Sequence, residues 1–354
     1  MGDALRVGMV GVGTISGQYL DTLGRLPGVE LVAAADLDPS RHVPGVRTMT
    51  PAELYAADDV DLVLNLTIPK AHAEVALSAI AAGKHVYNEK PLALSTMEGR
   101  EVLAAASAAG VRVGCAPDTV LGTGTQTARR CLDDGLIGTP VAATAFMVTP
   151  GHERWHPAPE FYYQPGGGPL FDMGPYYLTA LVTLLGPVRR VTGLASTPRA
   201  SRVIGQGPRA GASFPVATPT HITGTLEHAN GALTTLLMSF DVWAAALPNL
   251  EVHGTAGSLS VPDPNDFAGE VRVFTPDTQE WRAVPPSAGY ENAGRGTGVA
   301  DLAAALATDT EHRANGELAY HVLDIMESLM RAAESGETQT LASTTERPRS
   351  VEVG

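Results

Sequence analysis

A short apolar strand that runs into a glycine turn and straight on into helical spacing most restricts how this chain can fold. Leu5-Arg-Val-Gly-Met-Val10 precedes Gly11-Val-Gly13, and Ile15, Tyr19, Leu23 and Leu26 then recur at helical intervals. Val29 to Asp36 is a second buried strand, ending in an acid; Asp61 to Leu66, Lys84 to Asn88 and Val111 to Cys115 follow as further strands. Between them lie an alanine-rich helix over Ala71 to Ala82, closed by Gly83, and another from about Ser95 to Ala109. Strands alternating with crossover helices predict an α/β fold with a doubly wound parallel sheet.

Beyond about residue 120 the alternation stops. A helix over Thr125 to Asp134 and a strand near Val141 to Val148 lead into a Pro/Gly-rich stretch from Pro150 to Pro169. His221 to His228 and Ala232 to Phe240, joined by a turn containing Asn230-Gly231, read as a hairpin. Further strands near 188–196, 249–254 and 270–275 predict an open, mainly antiparallel sheet in an α+β domain. A last helix runs from Gly316 to about Glu334. Pro198 to Pro219 reads as a mobile surface loop. At 354 residues the chain exceeds the size at which one core keeps growing, so two domains are expected, 1–120 and 121–354.

The formal charge of -14, with no basic stripe, argues against nucleic acid and anionic membranes as partners and for a small molecule. No apolar run is long enough to span a bilayer, and Leu5 to Val10 is too short for a targeting signal. Two cysteines, Cys115 and Cys131, make no disulfide framework and read as reduced thiols of a cytoplasmic protein. Of the 24 basic residues only Lys70, Lys84 and Lys90 are lysines. Where arginine otherwise serves for positive charge, a surviving lysine points to a task guanidinium cannot perform, such as proton transfer.

Gly11-x-Gly13-x-x-Ser16 departs from G-x-G-x-x-G at its third glycine, yet it follows a strand and opens a helix, as a Rossmann dinucleotide site requires. There the backbone of Gly11, Gly13, Thr14 and Ile15 can approach a pyrophosphate at a helix N-terminus. Asp36 ends the second strand, where a carboxylate accepts the adenosine-ribose hydroxyls and repels a 2′-phosphate. NAD is therefore favoured as cofactor, while Arg41, five residues on, keeps NADP open.

Lys90, in Glu89-Lys90-Pro91, falls at the carboxyl edge of the sheet, where ligands of such folds bind. A second constellation is the glycine run 166–168 followed by Asp172 and Tyr176, four apart and so on one face of a helix that begins early enough; Pro175 is expected in its first turn. His152-Glu-Arg-Trp-His156 matches H-E-x-x-H, but the flanking Pro150, Gly151 and Pro157 exclude the continuous helix a zinc site needs, and no metal is expected. Trp155 and His156 are instead candidates to line a substrate pocket.

Gly11-x-Gly13, Asp36, Thr67-Ile-Pro69 with His72, Glu89-Lys90-Pro91 and the glycine run before Asp172 together resemble the Gfo/Idh/MocA oxidoreductase family, over nearly the whole chain. The resemblance implies an N-terminal Rossmann domain, a C-terminal domain whose open sheet often supports homodimers or homotetramers, and hydride transfer to or from a sugar, polyol or inositol-like compound. It also implies that Thr67, Pro69, His72 and Glu89 lie on the cofactor side, and that Lys90 and Asp172 are the family's lysine and aspartate, contacting substrate. Tyr176 stands where many members carry histidine. Histidine titrates near neutrality and tyrosine at about 10, so a tyrosine acceptor needs a nearby cation to favour phenolate. The expected assignment is Tyr176 as proton acceptor, Lys90 as its electrostatic support and donor to the substrate oxygen, and Asp172 as orienter of a neighbouring hydroxyl.

The leading expectation is an NAD(P)-dependent dehydrogenase acting on a secondary alcohol. Its rivals are an NADPH-dependent reductase of a keto sugar or diketone, NAD-assisted glycoside cleavage through a transient keto sugar, and a dinucleotide-binding regulator without turnover. Specificity is expected in loops near 118–124, 150–165 and 240–247.

Overall fold

The computed structural model describes residues 4–352. The chain divides into two compact units: one runs to Gly122 and takes in Tyr290–Leu323, and the other combines Thr123–Gly289 with the chain from Asp324 onward. The sequence expectation of 1–120 and 121–354 puts 290–323 with the second domain, whereas this division groups that segment with the first unit. That segment carries the helix Thr297–Thr308, which has no strand neighbour in sequence to mark its membership.

The first unit is built on a six-stranded parallel sheet of β1 (Leu5–Val10), β2 (Val29–Ala35), β3 (Arg47–Met49), β4 (Leu62–Asn65), β5 (His85–Asn88) and β6 (Val113–Cys115), in the order β3-β2-β1-β4-β5-β6. Every residue of β4 is buried, as expected for a strand covered on both faces. β3 was not legible in the sequence: at three residues, with an Arg-Thr-Met composition on the sheet edge, it offers no apolar run. Strand order reverses beside β1, so the crevice beyond the carboxyl ends of β1 and β4 is the expected ligand position.

Four helices lie in this stretch: α1 (Ser16–Leu23), α2 (Pro51–Ala56), α3 (His72–Ala81) and α4 (Thr96–Ala109). Their ends follow local chemistry. Thr50 and Glu53 form a reciprocal capping box on α2, and Ser95 caps α4 by accepting from Glu98 N–H, with Gly110 closing it in the left-handed conformation. Residues 119–121 are not a recognition loop but a buried 3-10 turn, anchored by Asp118. Asp118 Oδ2 accepts from Gly296 N–H (2.8 Å) and Gly298 N–H (3.0 Å), although burial raises its pKa. Asp118→Ala leaves two buried N–H groups unpaired and is expected to cost about 2–4 kcal/mol in chemical denaturation.

The second unit carries α5 (Thr123–Asp133), α6 (Gly168–Leu185) and a nine-stranded sheet. Its strands are β7 (Pro140–Val148), β8 (Val188–Ser196), β11 (His221–His228), β12 (Leu233–Ser239), β13 (Leu250–Gly254), β14 (Gly257–Val261), β15 (Val271–Phe274), β16 (Trp281–Val284) and β17 (Gln339–Thr340); β9 (Ser201–Val203) and β10 (Ser213–Pro215) form a separate ribbon. All neighbours in the large sheet are antiparallel except β7 with β12. The 198–219 stretch is therefore no featureless loop. Its ribbon is pinned by Arg202, whose side chain is 1% exposed and pairs with Glu153 (3.0 Å) and Asp241 (2.5 Å). That anchor lies 49 and 39 residues away in sequence, so no local pattern announces it.

α6 packs its apolar face on β7, β11 and β12. Gly168 opens it at φ +83°, where a Cβ would meet the Pro219 carbonyl at 2.8 Å. The helix begins early enough to put Asp172 and Tyr176 on one face. Pro169 occupies its first turn, and Pro175 is interior, contrary to the sequence expectation. An interior proline withholds a donor from the carbonyl four residues before it, here Phe171.

Candidate active site

Five of the dinucleotide-site candidates in the first unit surround one cleft of about 520 Å³: Gly11, Gly13, Asp36, Arg41 and Thr67. Gly11 has φ +96°, and a Cβ there would stand 2.8 Å from the Leu66 carbonyl, so the turn between β1 and α1 admits only glycine. At Gly13 a Cβ would meet nothing within 4 Å: the backbone there faces open space. Thr14 is exposed and Ile15 leads into α1, which has no side-chain cap; Ser16 and Gln18 N–H donate to the Gly13 and Ile15 carbonyls, and the positive end of the helix dipole faces the turn.

Asp36 is held by two backbone donors, Val12 N–H (2.7 Å) and Asp38 N–H (2.9 Å), which ties its carboxylate to the glycine turn. Arg41 stands 3.9 Å from Asp36 and 3.6 Å from Asp38, half-exposed, so it is partly neutralised by two acids. Leu37 and Ile68, 92% and 67% exposed, line the same cleft and offer apolar surface for a flat ring. An uncapped helix start, a glycine cradle and a fixed acid at the end of β2 fit NAD. Asp36→Ala is expected to raise the KM for NAD about 10- to 100-fold with little change in kcat, and to narrow discrimination against NADP, both measured by initial rates.

His72 and Glu89 do not face this cleft. His72 is fully buried, with Nδ1 2.6 Å from the Pro91 carbonyl and Nε2 3.0 Å from the Thr67 carbonyl; burial lowers its pKa, and the neutral ring donates to one of the two at a time. It lies between the segment after β4 and the segment after β5. Glu89 is likewise buried, accepting from Tyr19 O–H (2.8 Å) and from Lys90 N–H (2.9 Å). Burial, with Glu89 and Asp118 nearby, holds the Tyr19 phenol well above its ordinary pKa, so it stays a donor. Pro69 is exposed and starts the 3-10 turn Pro69–Ala71. Lys90, half-buried, follows β5 at the carboxyl edge of the sheet.

Two buried asparagines escaped the sequence reading. Asn65, ending β4, donates to Asn88 Oδ1 (2.9 Å) and accepts from the Thr67 hydroxyl (2.6 Å); Asn88, ending β5, donates to the Leu92 carbonyl (3.2 Å). They fix both loops that carry candidate residues. The legible signal was an amide closing each of two neighbouring strands of the parallel sheet.

In the second unit the residue that sequence reasoning missed is His152. Its Nε2 lies 2.9 Å from Asp172 Oδ2, and its ring packs among Trp155 (5.1 Å), Tyr162 (4.6 Å) and Phe240 (4.4 Å). It belongs to the H-E-x-x-H segment, which folds as the 3-10 turn His152–Arg154. Dismissal of the zinc motif is consistent with that turn, but it also hid a real partner of Asp172. Tyr176 is buried one turn further along α6. Of the expected pocket residues, Trp155 is 52% exposed, whereas His156 is engaged in its own loop: Nδ1 accepts from Ala158 N–H (3.0 Å) and the ring meets Phe161 and Tyr162 edge-on.

The fold and the glycine–acid site define a class, the oxidoreductases with an NAD-binding Rossmann domain, and residues 5–116 match that family. Residues 125–260 match the Gfo/Idh/MocA C-terminal domain, and the chain belongs to the Gfo/Idh/MocA oxidoreductase family. Among curated relatives, a 1,5-anhydro-D-fructose reductase of Ensifer adhaerens is 32% identical over 207 residues, 57% of this chain and 56% of that protein. Inositol 2-dehydrogenase 3 of Saccharopolyspora erythraea is 32% identical over 165 residues, 44% of this chain and 48% of that protein. The chain thus spans about half the length of these relatives. Among solved structures, an NAD binding oxidoreductase from Klebsiella pneumoniae superposes with TM-score 0.82 at 23% identity, covering 96% of this chain and 99% of that one. Levoglucosan dehydrogenase in complex with NADH and L-sorbose gives TM-score 0.80 at 21% identity, covering 97% and 100%. Both share the fold.

Proposed function

We propose that this chain is an NAD-dependent dehydrogenase that oxidises a secondary alcohol of a sugar, polyol or inositol-like substrate. The observation that carries the reading is Asp36, locked by Val12 N–H beside the glycine turn, in a position that suits ribose hydroxyls and disfavours a 2′-phosphate. The names of the relatives support the substrate class. NAD, when bound, supplies the hydride acceptor.

The chain's own residues handle the proton. In this reading Tyr176 takes the hydroxyl proton as the C–H bond breaks, Asp172 orients a neighbouring hydroxyl, and Lys90 supplies a positive charge and donates to the substrate oxygen. His152 adds to this set by holding the Asp172 carboxylate through Nε2, a positioning role. His152→Phe is expected to lower kcat/KM about 10-fold while leaving the KM for NAD unchanged, because it removes the Nε2 contact to Asp172 and leaves the glycine turn and Asp36 intact; steady-state kinetics in both substrates test this.

The test of the reading as a whole is absorbance at 340 nm with NAD and with NADP across sugars, inositols, glycosides and diols. Lasting reduction of NAD by a neutral polyol is expected. Glycoside loss without a lasting signal would support transient oxidation instead, and NAD binding with no turnover on any compound would support a regulator. We also propose a cytoplasmic homodimer or homotetramer. Two free, buried cysteines suit a reducing compartment, and Val141, Leu194 and Leu233, 48%, 69% and 49% exposed on the nine-stranded sheet, suit association. Light scattering of the purified chain tests the assembly.

A further inference from the structure

The second unit contains a cavity of about 360 Å³ that the proposed chemistry does not use. Arg154, Arg199 and Arg202 line it together with Glu153 and Ser201. The two carboxylates at this place are already engaged. Glu153 accepts from Arg202 and from the Tyr163 hydroxyl, and Asp241 accepts from Arg202 (2.5 Å) and the Thr220 hydroxyl (2.5 Å). Arg202 is buried, and its Nε, also buried, has no hydrogen-bond partner. Arg199, 43% exposed, is only 3.8 Å from Asp241, and Arg154 lies over the Trp243 ring at 4.5 Å. Three guanidinium groups against two shared carboxylates leave one net positive charge, in a chain whose formal charge is -14.

The walls are rigid. Gly205 N–H donates to the Glu153 carbonyl (2.7 Å), tying the β9 ribbon to the 3-10 turn, and Arg202 also donates to the Phe240 carbonyl (3.2 Å). The Phe240 ring packs on His152, which holds Asp172. Planar guanidinium groups presented by a rigid frame suit a planar or tetrahedral oxyanion. We propose that this cavity is a subsite for the carboxylate or phosphate of a small molecule, with Arg154 and Arg199 as its ligand-facing cations. The inference rests on the proposed dehydrogenase only for the identity of that molecule: either an acid-bearing polyol substrate or a separate anion.

The test is binding rather than turnover. Inorganic phosphate and D-gluconate are titrated into the full-length protein, followed by calorimetry and by tryptophan fluorescence, since Trp243 lies under Arg154. Saturable binding of either anion is expected, absent with neutral sorbitol and with chloride at equal ionic strength. Arg199→Gln removes a half-exposed cation, so the fold should persist; it should weaken binding about 10-fold or more. A titration that does not saturate, or one that Arg199→Gln leaves unchanged, overturns the subsite. These readouts need no dehydrogenase activity, so a protein inactive on every polyol would still report on it. If Arg199→Gln lowers kcat/KM for gluconate but not for sorbitol, the anion is the substrate's own; if phosphate binds and that ratio is unaltered, it is a separate molecule.

Discussion

Replacing Lys90 by methionine is expected to lower kcat about 10²- to 10⁴-fold while NAD binds with near-normal affinity. Methionine keeps the length of the stem and removes the ammonium group, so packing beside Pro91 changes little. The backbone at this position is set by Glu89, which accepts Lys90 N–H and is itself held by Tyr19. Those backbone contacts remain in the variant, so the fold and the dinucleotide cleft are expected to persist. NAD affinity by fluorescence titration and kcat by steady-state rates separate the two effects. A Lys90→Met protein with full turnover would show that the lysine is a surface residue after all, despite being one of only three in the chain.

Tyr176→Phe carries the second large effect, also about 10²- to 10⁴-fold in kcat/KM. The change deletes one oxygen from a buried ring, leaving the packing of α6 in place. Tyr176→His is the informative partner. Because imidazole titrates near pH 6.5 and phenol near 10, a histidine acceptor should restore part of the rate and move the rising limb of the pH profile to lower pH. Equal activity of wild type and Tyr176→Phe would pass the proton-accepting role to another group.

How much of this was visible before any coordinates depends on the range of the interaction concerned. The strand, glycine turn, helix and acid of the dinucleotide cleft lie within residues 5–36, and local periodicity revealed them. β4 and the 221–240 hairpin were equally plain, one through continuous burial and the other through its Asn-Gly turn. What failed was what depends on distant partners. Arg202 owes its burial to Glu153 and Asp241, and without them the 198–219 stretch looked like a loop. Asp118 sits in an apparent recognition loop because its partners, Gly296 and Gly298, are nearly 180 residues on.

The candidate site divides along the same line. Asp172 and Tyr176 follow from spacing on one helix, yet the histidine that holds Asp172 lies 20 residues earlier, inside a motif set aside for sound reasons. H-E-x-x-H fails as a zinc site because its segment is a single 3-10 turn. The same turn aims His152 at α6. For His72 the sequence showed the residue but not its full burial between the Pro91 and Thr67 carbonyls, 19 and 5 residues away.

Transfer of label from substrate carbon to nicotinamide tests the central claim most directly. Inositols and alditols deuterated at their secondary carbons are incubated with the protein and NAD, and the reduced nicotinamide is examined by mass spectrometry. The account predicts NADH carrying one deuterium, formed by the wild type and reduced at least 100-fold in Lys90→Met and Tyr176→Phe. NADH without deuterium, or label transferred equally by all three proteins, would contradict it.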